Sequence, residues 1–492
     1  MNKECFYMIH TCNNRKWYVE QYLIPSMCLQ GINLDHIKIW LDKDNIGCLE
    51  SCMQSFASLP EDGYTWHLQD DIIICSDFKQ KTEEFGEIAS VVCGYCYYRN
   101  TGSPAGVNFP RHMWYSFPCI SISNSLAKEC AEWYFKNAKY NSKYTKWVST
   151  GKCDDSMFKF FCEEKYGTVQ IVYNLNPNLV DHIDYLIGGS IVNKERQVTI
   201  TSAAYFQEPE LIEQLKDKLE KKDLRIAAYC GTRNLYKDMI PAIKSLLVNS
   251  NVDKIYLLIE DDIFPYPLPP EVETINVSKQ GFFKQDGPNM KSKFTYMVMM
   301  RPVLPFILPQ YKKILSLDVD TIVDKDISAI WDIDLKDNYM AACIEPDKCI
   351  GGKYYQGGCR LYFNGGVVLY NCEQLKDRKG WEIIKRLNKQ YYPFVEQDCM
   401  CEVCEDRILP LSNDYNYTPY SSYYICGKSF DPKIYHYAAI KKWQDCPEVI
   451  KYREMKTLNL NKDAVNADIK PPVTDDRRII FNKKIFLEKY NG

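Results

Sequence analysis

The feature that most narrows the folds open to this chain is a pattern that starts twice. Near the N-terminus a strand-like run, Cys5 to His10, leads into a polar turn over Thr11 to Arg15. A helical pattern follows from about Trp17 to Gln30, then a strand from Ile37 to Leu41 that ends on Asp42-Lys43-Asp44. At residue 224 the order resumes. A strand from Leu224 to Cys230, a polar turn, a helix from Met239 to Asn249 and a strand from Lys254 to Ile259 lead to Glu260-Asp261-Asp262. Strands that alternate with helices need crossover connections, so each half is expected to form a mostly parallel sheet covered on both faces. Ligands of such sheets sit beyond the carboxyl ends of the strands, where polar residues collect here.

The next strand of each half ends in acid. Tyr64 to Leu68 runs into Gln69-Asp70-Asp71, and Leu315-Ser316-Leu317 runs into Asp318-Val319-Asp320. Residues at i and i+2 of a strand point the same way, so Asp318 and Asp320 face one spot. Two carboxylates there suit a hard divalent cation that keeps positions open for a phosphate. Taken singly, an Asp-x-Asp is equally an ordinary polar turn. The later spacing also agrees: 111 residues lead from Asp71 to His182, and 116 from Asp320 to His436. We therefore expect two divergent copies of one architecture, at 1–207 and 224–450. A charged helical linker at 208–223 joins them, and a polar tail follows at 451–492.

Composition removes several classes. The net charge is −3, which offers no footprint for nucleic acid. No run of 18 apolar residues occurs, so no transmembrane segment is expected. The N-terminus enters a strand almost at once without a secretion signal, and a cytoplasmic location is the expectation. The 22 cysteines are accordingly expected to be buried, reduced thiols rather than disulfides. Cys93-x-x-Cys96 and the Cys399, Cys401, Cys404 group lack the paired spacing of a structural zinc site. Nothing in the sequence sets an oligomeric state.

Four signals then line up in the second half: Arg301 ahead of the acidic strand, the Asp318/Asp320 pair, an Asn-Gly-Gly turn at 364–366, and Glu396-Gln397 followed by a late His436. With LDVDTIV, FNGGVVLYN, EQDCM and HYAAIKKW in this order, the segment from about 224 to 445 resembles glycosyltransferase family 8. The resemblance implies a GT-A fold and transfer of a hexose, with retention, to a glycan or glycolipid acceptor. It implies a nucleotide-sugar donor, UDP-glucose or UDP-galactose, and Mn²⁺ or Mg²⁺. It assigns the metal to Asp318, Asp320 and His436. Donor contacts fall to Tyr229, Arg301, Asp318 and either Lys441 or Lys442. Asn364, Glu396 and Gln397 are placed beside the reacting carbon. Gln397 is a poor nucleophile, so same-side attack is preferred to a covalent intermediate. In the family a Gly follows the histidine and a Lys-Pro-Trp comes next. Here Ala438 and Lys441-Lys442-Trp443 stand there, which leaves open which lysine meets phosphate.

The first half resembles other GT-A transferases through shorter motifs. By that resemblance Asp71 and His182 hold a metal. Asp154 and Asp155, at a helix start, supply the general base of an inverting reaction. Asn13 and Asp42 grip the nucleoside. Two other readings stand beside a doubly active enzyme. The first half is an acceptor-binding or structural module for one active C-terminal transferase, or the whole chain is an interaction protein with decayed sites.

Overall fold

A computed structural model describes residues 5–95, 117–151, 154–167, 172–189, 206–345, 362–404, 407–418, 430–440 and 442–455. The chain divides into two units, Met1–Leu219 with Gln280–Phe282, and Glu220–Lys279 with Phe283–Gly492. The charged stretch expected as a linker is a helix, Glu210–Leu219, that closes the first unit with Ile212 and Leu215 buried. Its polar residues cover the solvent side, and its apolar stripe at helical spacing anchors it. Of the expected tail, residues beyond 455 lie outside the described residues.

In the first unit the strands are β1 (Phe6–Cys12), β2 (Ile37–Asp42), β3 (Tyr64–Gln69), β4 (Ile72–Ile74), β5 (Val91–Cys93), β6 (Cys119–Ser123), β7 (Val172–Asn174) and β8 (Val180–His182). They form a sheet in the order β2-β1-β3-β6-β5-β7 and a separate ribbon, β4-β8. Strand β1 runs parallel to β2 and β3, whereas β6 runs antiparallel to β3 and β5. The expected first helix is one continuous helical stretch from Lys16 to Leu29, widened into a π turn over Val19–Leu23.

The second unit contains β9 (Ile226–Cys230), β10 (Lys254–Ile259), β11 (Val272–Asn276), β12 (Lys313–Leu317), β13 (Thr321–Val323), β14 (Met340–Ile344), β15 (Phe363–Asn371), β16 (Ile408–Leu411) and β17 (Ile434–His436). The sheet order is β11-β10-β9-β12-β15-β14-β16, beside a ribbon β13-β17. Strand β15 is antiparallel to β12 and β14, and the other neighbours run parallel. The two sheets thus share one topology, with β11 added at the edge of the second. Both units are α/β with a mostly parallel sheet, as the alternating pattern requires.

The central strands read as continuous apolar runs because helices cover both of their faces. Leu257, Leu258, Ile314 and Leu315 are fully buried. The helix Tyr236–Asn249 lays Met239, Ala242, Ile243 and Leu246 against the same core. Each such leucine or isoleucine contributes about 1.5–3 kcal/mol. In the first unit Met8, Phe56, Leu126 and Phe158 form the corresponding centre. Rigid, buried strands of this kind hold their polar carboxyl ends in fixed positions.

Candidate active site

In the second unit β12 stops at Leu317, and the chain turns through Asp318-Val319-Asp320 into β13. Thr321 opens β13 directly opposite His436, the last residue of β17. That pairing brings together residues 115 positions apart. The histidine Nε2 lies 3.6 Å from Asp318 Oδ2 and 3.4 Å from Asp320 Oδ1. One ligand atom from each of the three residues lies within 4.8 Å of the others, a spacing that fits one cation. The turn is tied down by the Asp318 N–H donating to the Gly366 carbonyl (2.8 Å) and by the Tyr437 N–H donating to the Asp320 carbonyl (2.9 Å).

The imidazole is oriented from behind. Asn416 donates its amide N–H to Asn364 Oδ1 (2.8 Å), so its own carbonyl oxygen faces His436 Nδ1 at 2.8 Å. That oxygen is an acceptor, which makes Nδ1 the protonated nitrogen and leaves the Nε2 lone pair toward the carboxylates. A ligating histidine held in this way has the support a metal site needs. Asn364 Oδ1 also accepts from the Gly366 N–H (2.9 Å), and its amide donates to Glu345 Oε1 (2.6 Å).

Arg301, on the short helix Tyr296–Val303, reaches the same spot. Its Nη1 donates to the Gly365 carbonyl (3.0 Å) and to Glu396 Oε1 (2.9 Å), and its Nη2 donates to Asp318. Glu396 and Gln397 begin the helix Val395–Cys404, where the helix dipole favours an acid. The Gly365 N–H donates to Gln397 Oε1 (2.8 Å). Val395 precedes them with φ of 46°, a conformation that a β-branched residue adopts only under strain. These groups wall a cavity of about 710 Å³ that Cys230, Lys293, Phe294, Phe394 and Trp443 also line.

Charge and burial pull against each other here. Burial raises the Asp318 carboxyl above its usual value, against the pull of Arg301. Burial pushes Asp320 up, but His436, a backbone N–H and Arg301 together hold it below its usual value. Burial disfavours the imidazolium of His436, yet Asp320 and Asp318 raise it overall. Glu396 is pushed up to about 7 by burial, with Arg301 opposing.

The first unit repeats the arrangement. Asp71 stands immediately before β4, whose Ile72 pairs with His182 of β8, just as Asp320 stands before the Thr321 that pairs with His436. His182 Nε2 lies 3.1 Å from Asp71 Oδ2, and its Nδ1 lies 3.7 Å from Asp184 Oδ1. Asp71, His182 and Asp184 form a second group with ligand atoms within 4.8 Å. Asp71 Oδ1 is buried without a hydrogen-bond partner, as suits a group that awaits a cation. Arg15 reaches Asp70 (3.5 Å) and Asp71 (2.5 Å) from the turn after β1. Asp154 and Asp155 open the helix Asp154–Tyr166, which lies between β6 and β7 as the Glu396 helix lies between β15 and β16. Asp154 Oδ1 accepts from the Asp155 N–H (3.0 Å). Burial, with Asp155 and Asp71 adding, pushes Asp154 up to about 7.

Other expected residues fall elsewhere. Tyr229 is fully buried with its hydroxyl donating to the Ala242 carbonyl (3.4 Å), so it packs in the core and is not a donor contact. Strand alternation turns Cys230 to the cavity instead. Asp42 spends both oxygens on the Ile46 and Gly47 N–H groups (3.0 Å each), and Asn13 donates to the Lys43 carbonyl (3.2 Å); together they shape the loop after β2. Lys442 is exposed in a left-handed conformation, and Lys441 lies outside the described residues. Asp184, Arg15, Asn416, Glu345 and the cavity aromatics were missed. Asp184 had a signal in its place two residues beyond His182.

Residues 266–446 match the model of Glycosyl transferase family 8. A putative glycosyltransferase of Haemophilus influenzae is 27% identical over 115 residues, covering 22% of this chain and 35% of that protein. A probable glycosyl transferase, Gly, of Streptococcus gordonii is 24% identical over 282 residues, covering 52% of this chain and 39% of that protein. The chain thus matches less than two fifths of the length of these curated relatives. Among solved structures, the bifunctional glycosyltransferase WbbM in its apo form aligns with 94% of this chain and 99% of its own at 12% identity, with a TM-score of 0.41. Among the described residues, every charged side chain on the cavity wall falls inside the segment that the family model covers, and the C-terminal half of the chain belongs to glycosyl transferase family 8.

Proposed function

We propose that the second unit transfers a hexose from UDP-glucose or UDP-galactose, with retention, to a hydroxyl of a glycan or glycolipid. Asp318, Asp320 and His436 hold Mn²⁺ or Mg²⁺ in this reading. The observation that carries it is the meeting of three ligand atoms, from strands far apart in the chain, within 4.8 Å of one another on the wall of one cavity. An imidazole with two carboxylates is a donor set that suits Mn²⁺. When bound, the cation supplies Lewis-acid stabilisation of the departing diphosphate.

The chain's own groups do the rest. Arg301, clamped by Glu396 and the Gly365 carbonyl, presents fixed positive charge where the diphosphate develops its own negative charge. Lys442 or Lys441 adds a second cation from the loop after His436. Gln397 keeps one carbonyl lone pair beyond its bond to Gly365 and turns it to the positive charge that grows on the sugar. Asn364 sets the orientation of Asn416 and, through it, of His436.

The repeated ribbon favours a second transferase site in the first unit. There Asp71, His182 and Asp184 hold the cation. Asp154, with its carboxyl near 7, takes the proton of an acceptor hydroxyl with Asp155 beside it, in an inverting reaction. The loop after β2 that Asn13 and Asp42 brace forms the nucleoside side of that site. Among the described residues no helix is long and apolar enough to cross a membrane. The described cysteines are free thiols, as a reducing, cytoplasmic setting keeps them.

Calorimetry of the full chain with UDP and Mn²⁺ tests the reading. Metal-dependent UDP binding is expected, with slow hydrolysis of one of the two UDP-hexoses. Absence of any Mn²⁺-dependent nucleotide binding would overturn it and leave the decayed-site reading.

A further inference from the structure

We propose that the mouth of the second unit's cavity selects an acceptor sugar that carries an anionic group, a carboxylate or a phosphate. The sugar ring lies on a shelf made by Phe294 and Phe394, and Lys293 binds the anion. The proposal rests on the transferase reading above and names the acceptor class for that site.

The shelf is visible in the geometry. The rings of Phe294 and Phe394 lie with centroids 5.9 Å apart, tilted by 42°. Both line the cavity. Phe294 leaves 36% of its surface in solvent, and that surface lies on the cavity wall beside Phe394. The apolar C–H face of a pyranose suits such a surface, and aromatic side chains at binding surfaces offer area at low entropic cost.

The cation is the second observation. Lys293 Nζ sits 4.4 Å from the Phe394 centroid and 4.9 Å from that of Phe294. It forms no ion pair or hydrogen bond among the described residues, unlike the other charged groups on this wall. Arg301 is matched by Asp318 and Glu396, and Glu345 accepts from Asn364. The nearby Asp398 already accepts from the Tyr362 hydroxyl (2.6 Å) and the Phe394 N–H (2.8 Å). An ammonium held over two rings on the cavity wall, near Asp398 but in no hydrogen bond or ion pair with it, is poised for an anion brought by the ligand.

The shelf lies on the sugar side of the site. Phe394 is two residues before Glu396, and the strained Val395 joins the shelf to the start of the helix. The diphosphate of the donor is met by Arg301 and the carboxylate–histidine trio, at the other members of the wall. Lys293 is therefore assigned to the acceptor.

The test uses the full chain with Mn²⁺ and each UDP-hexose. The acceptors are methyl glucoside (neutral), methyl glucuronide (carboxylate) and glucose 6-phosphate (phosphate). One charged acceptor is expected to show kcat/KM at least about tenfold above the neutral one, and which one tells carboxylate from phosphate. Lys293→Ala is expected to erase that preference and Lys293→Arg to keep most of it, while Phe294→Ala raises KM for all three. Lys293 is exposed, so its loss leaves the core intact. Equal use of the three acceptors, no turnover of any above hydrolysis, or a preference that survives Lys293→Ala overturns the proposal. So does an effect of Lys293→Ala that falls on the donor KM in hydrolysis. Wild-type chain that binds no UDP with Mn²⁺ overturns the transferase reading itself, which separates the two failures.

Discussion

Gly366 has room for a hydrogen and nothing larger. A Cβ there would stand 2.2 Å from His436 Cε1 and 2.6 Å from its Nδ1. The Asn-Gly-Gly segment, expected as a turn, lies within β15, and its glycines let the strand pass directly behind the imidazole, with Asn364 anchoring Asn416 on the other side. This arrangement makes the histidine's tautomer depend on one amide. Replacing Asn416 with Ala removes the acceptor at Nδ1 and frees the ring to rotate or protonate at the wrong nitrogen. Mn²⁺ affinity in the presence of UDP is expected to fall about 10–100-fold. A Mn²⁺ titration followed by calorimetry checks it, with circular dichroism to show that the fold persists. An unchanged affinity would mean that His436 is not a ligand.

The elements differ in how far they could be read in advance. Long, doubly covered strands such as β9, β10 and β12 were legible because burial on both faces leaves unbroken apolar runs. The ribbons β4-β8 and β13-β17 were not, since three residues carry no period, yet these ribbons set the histidines against the acids. Their acids and histidines were expected from ordered motifs, whereas Asn416 and Arg15 sit in irregular segments where no spacing rule applies. Tyr229 failed because a strand residue and its neighbour face opposite sides, and sequence order alone does not say which side is the core. A buried pair in β1 and β3 was also invisible. His10 Nε2 and His67 Nδ1 meet at 3.0 Å, with His67 edge-on to Phe56 at 4.8 Å. Burial lowers His10 to about 4 from its ordinary 6.5, and burial with His10 adding holds His67 well below that ordinary value, so both are neutral in the folded state. Above pH 6.5 neither state carries the extra protons. Below it the unfolded chain takes them up first, so stability falls as pH drops from 6.5 toward 4. Urea unfolding at pH 7.5 and 5.0 is expected to show the loss. The double variant His10→Leu, His67→Leu should show a smaller one, and equal losses in both proteins would remove the pair as the cause.

On the scale of the whole chain, the two units carry the same sheet order, the same ribbon and the same acid–histidine register. They differ in the arginine, which comes from the turn after β1 in the first unit and from the helix before β12 in the second. They differ also at the helix start, where an Asp-Asp pair stands in place of Glu-Gln. Glu396 is bonded to Arg301, whereas Asp154 stands beside Asp155 with its carboxyl near 7, so in the proposed reading the first unit suits base-assisted attack and the second charge stabilisation. Two independent sites make a quantitative demand. The intact chain should bind two equivalents of UDP with Mn²⁺, and Asp320→Ala and Asp71→Ala should each remove one. Because each carboxylate belongs to its own group of three, the losses should add, and the double variant should bind none. If the intact chain binds one equivalent, which Asp320→Ala abolishes and Asp71→Ala leaves in place, the first unit is an acceptor-binding or structural module. The buried carboxylate that has no partner at Asp71 Oδ1 argues for two, since retaining such an atom costs about 1–3 kcal/mol unless a cation meets it.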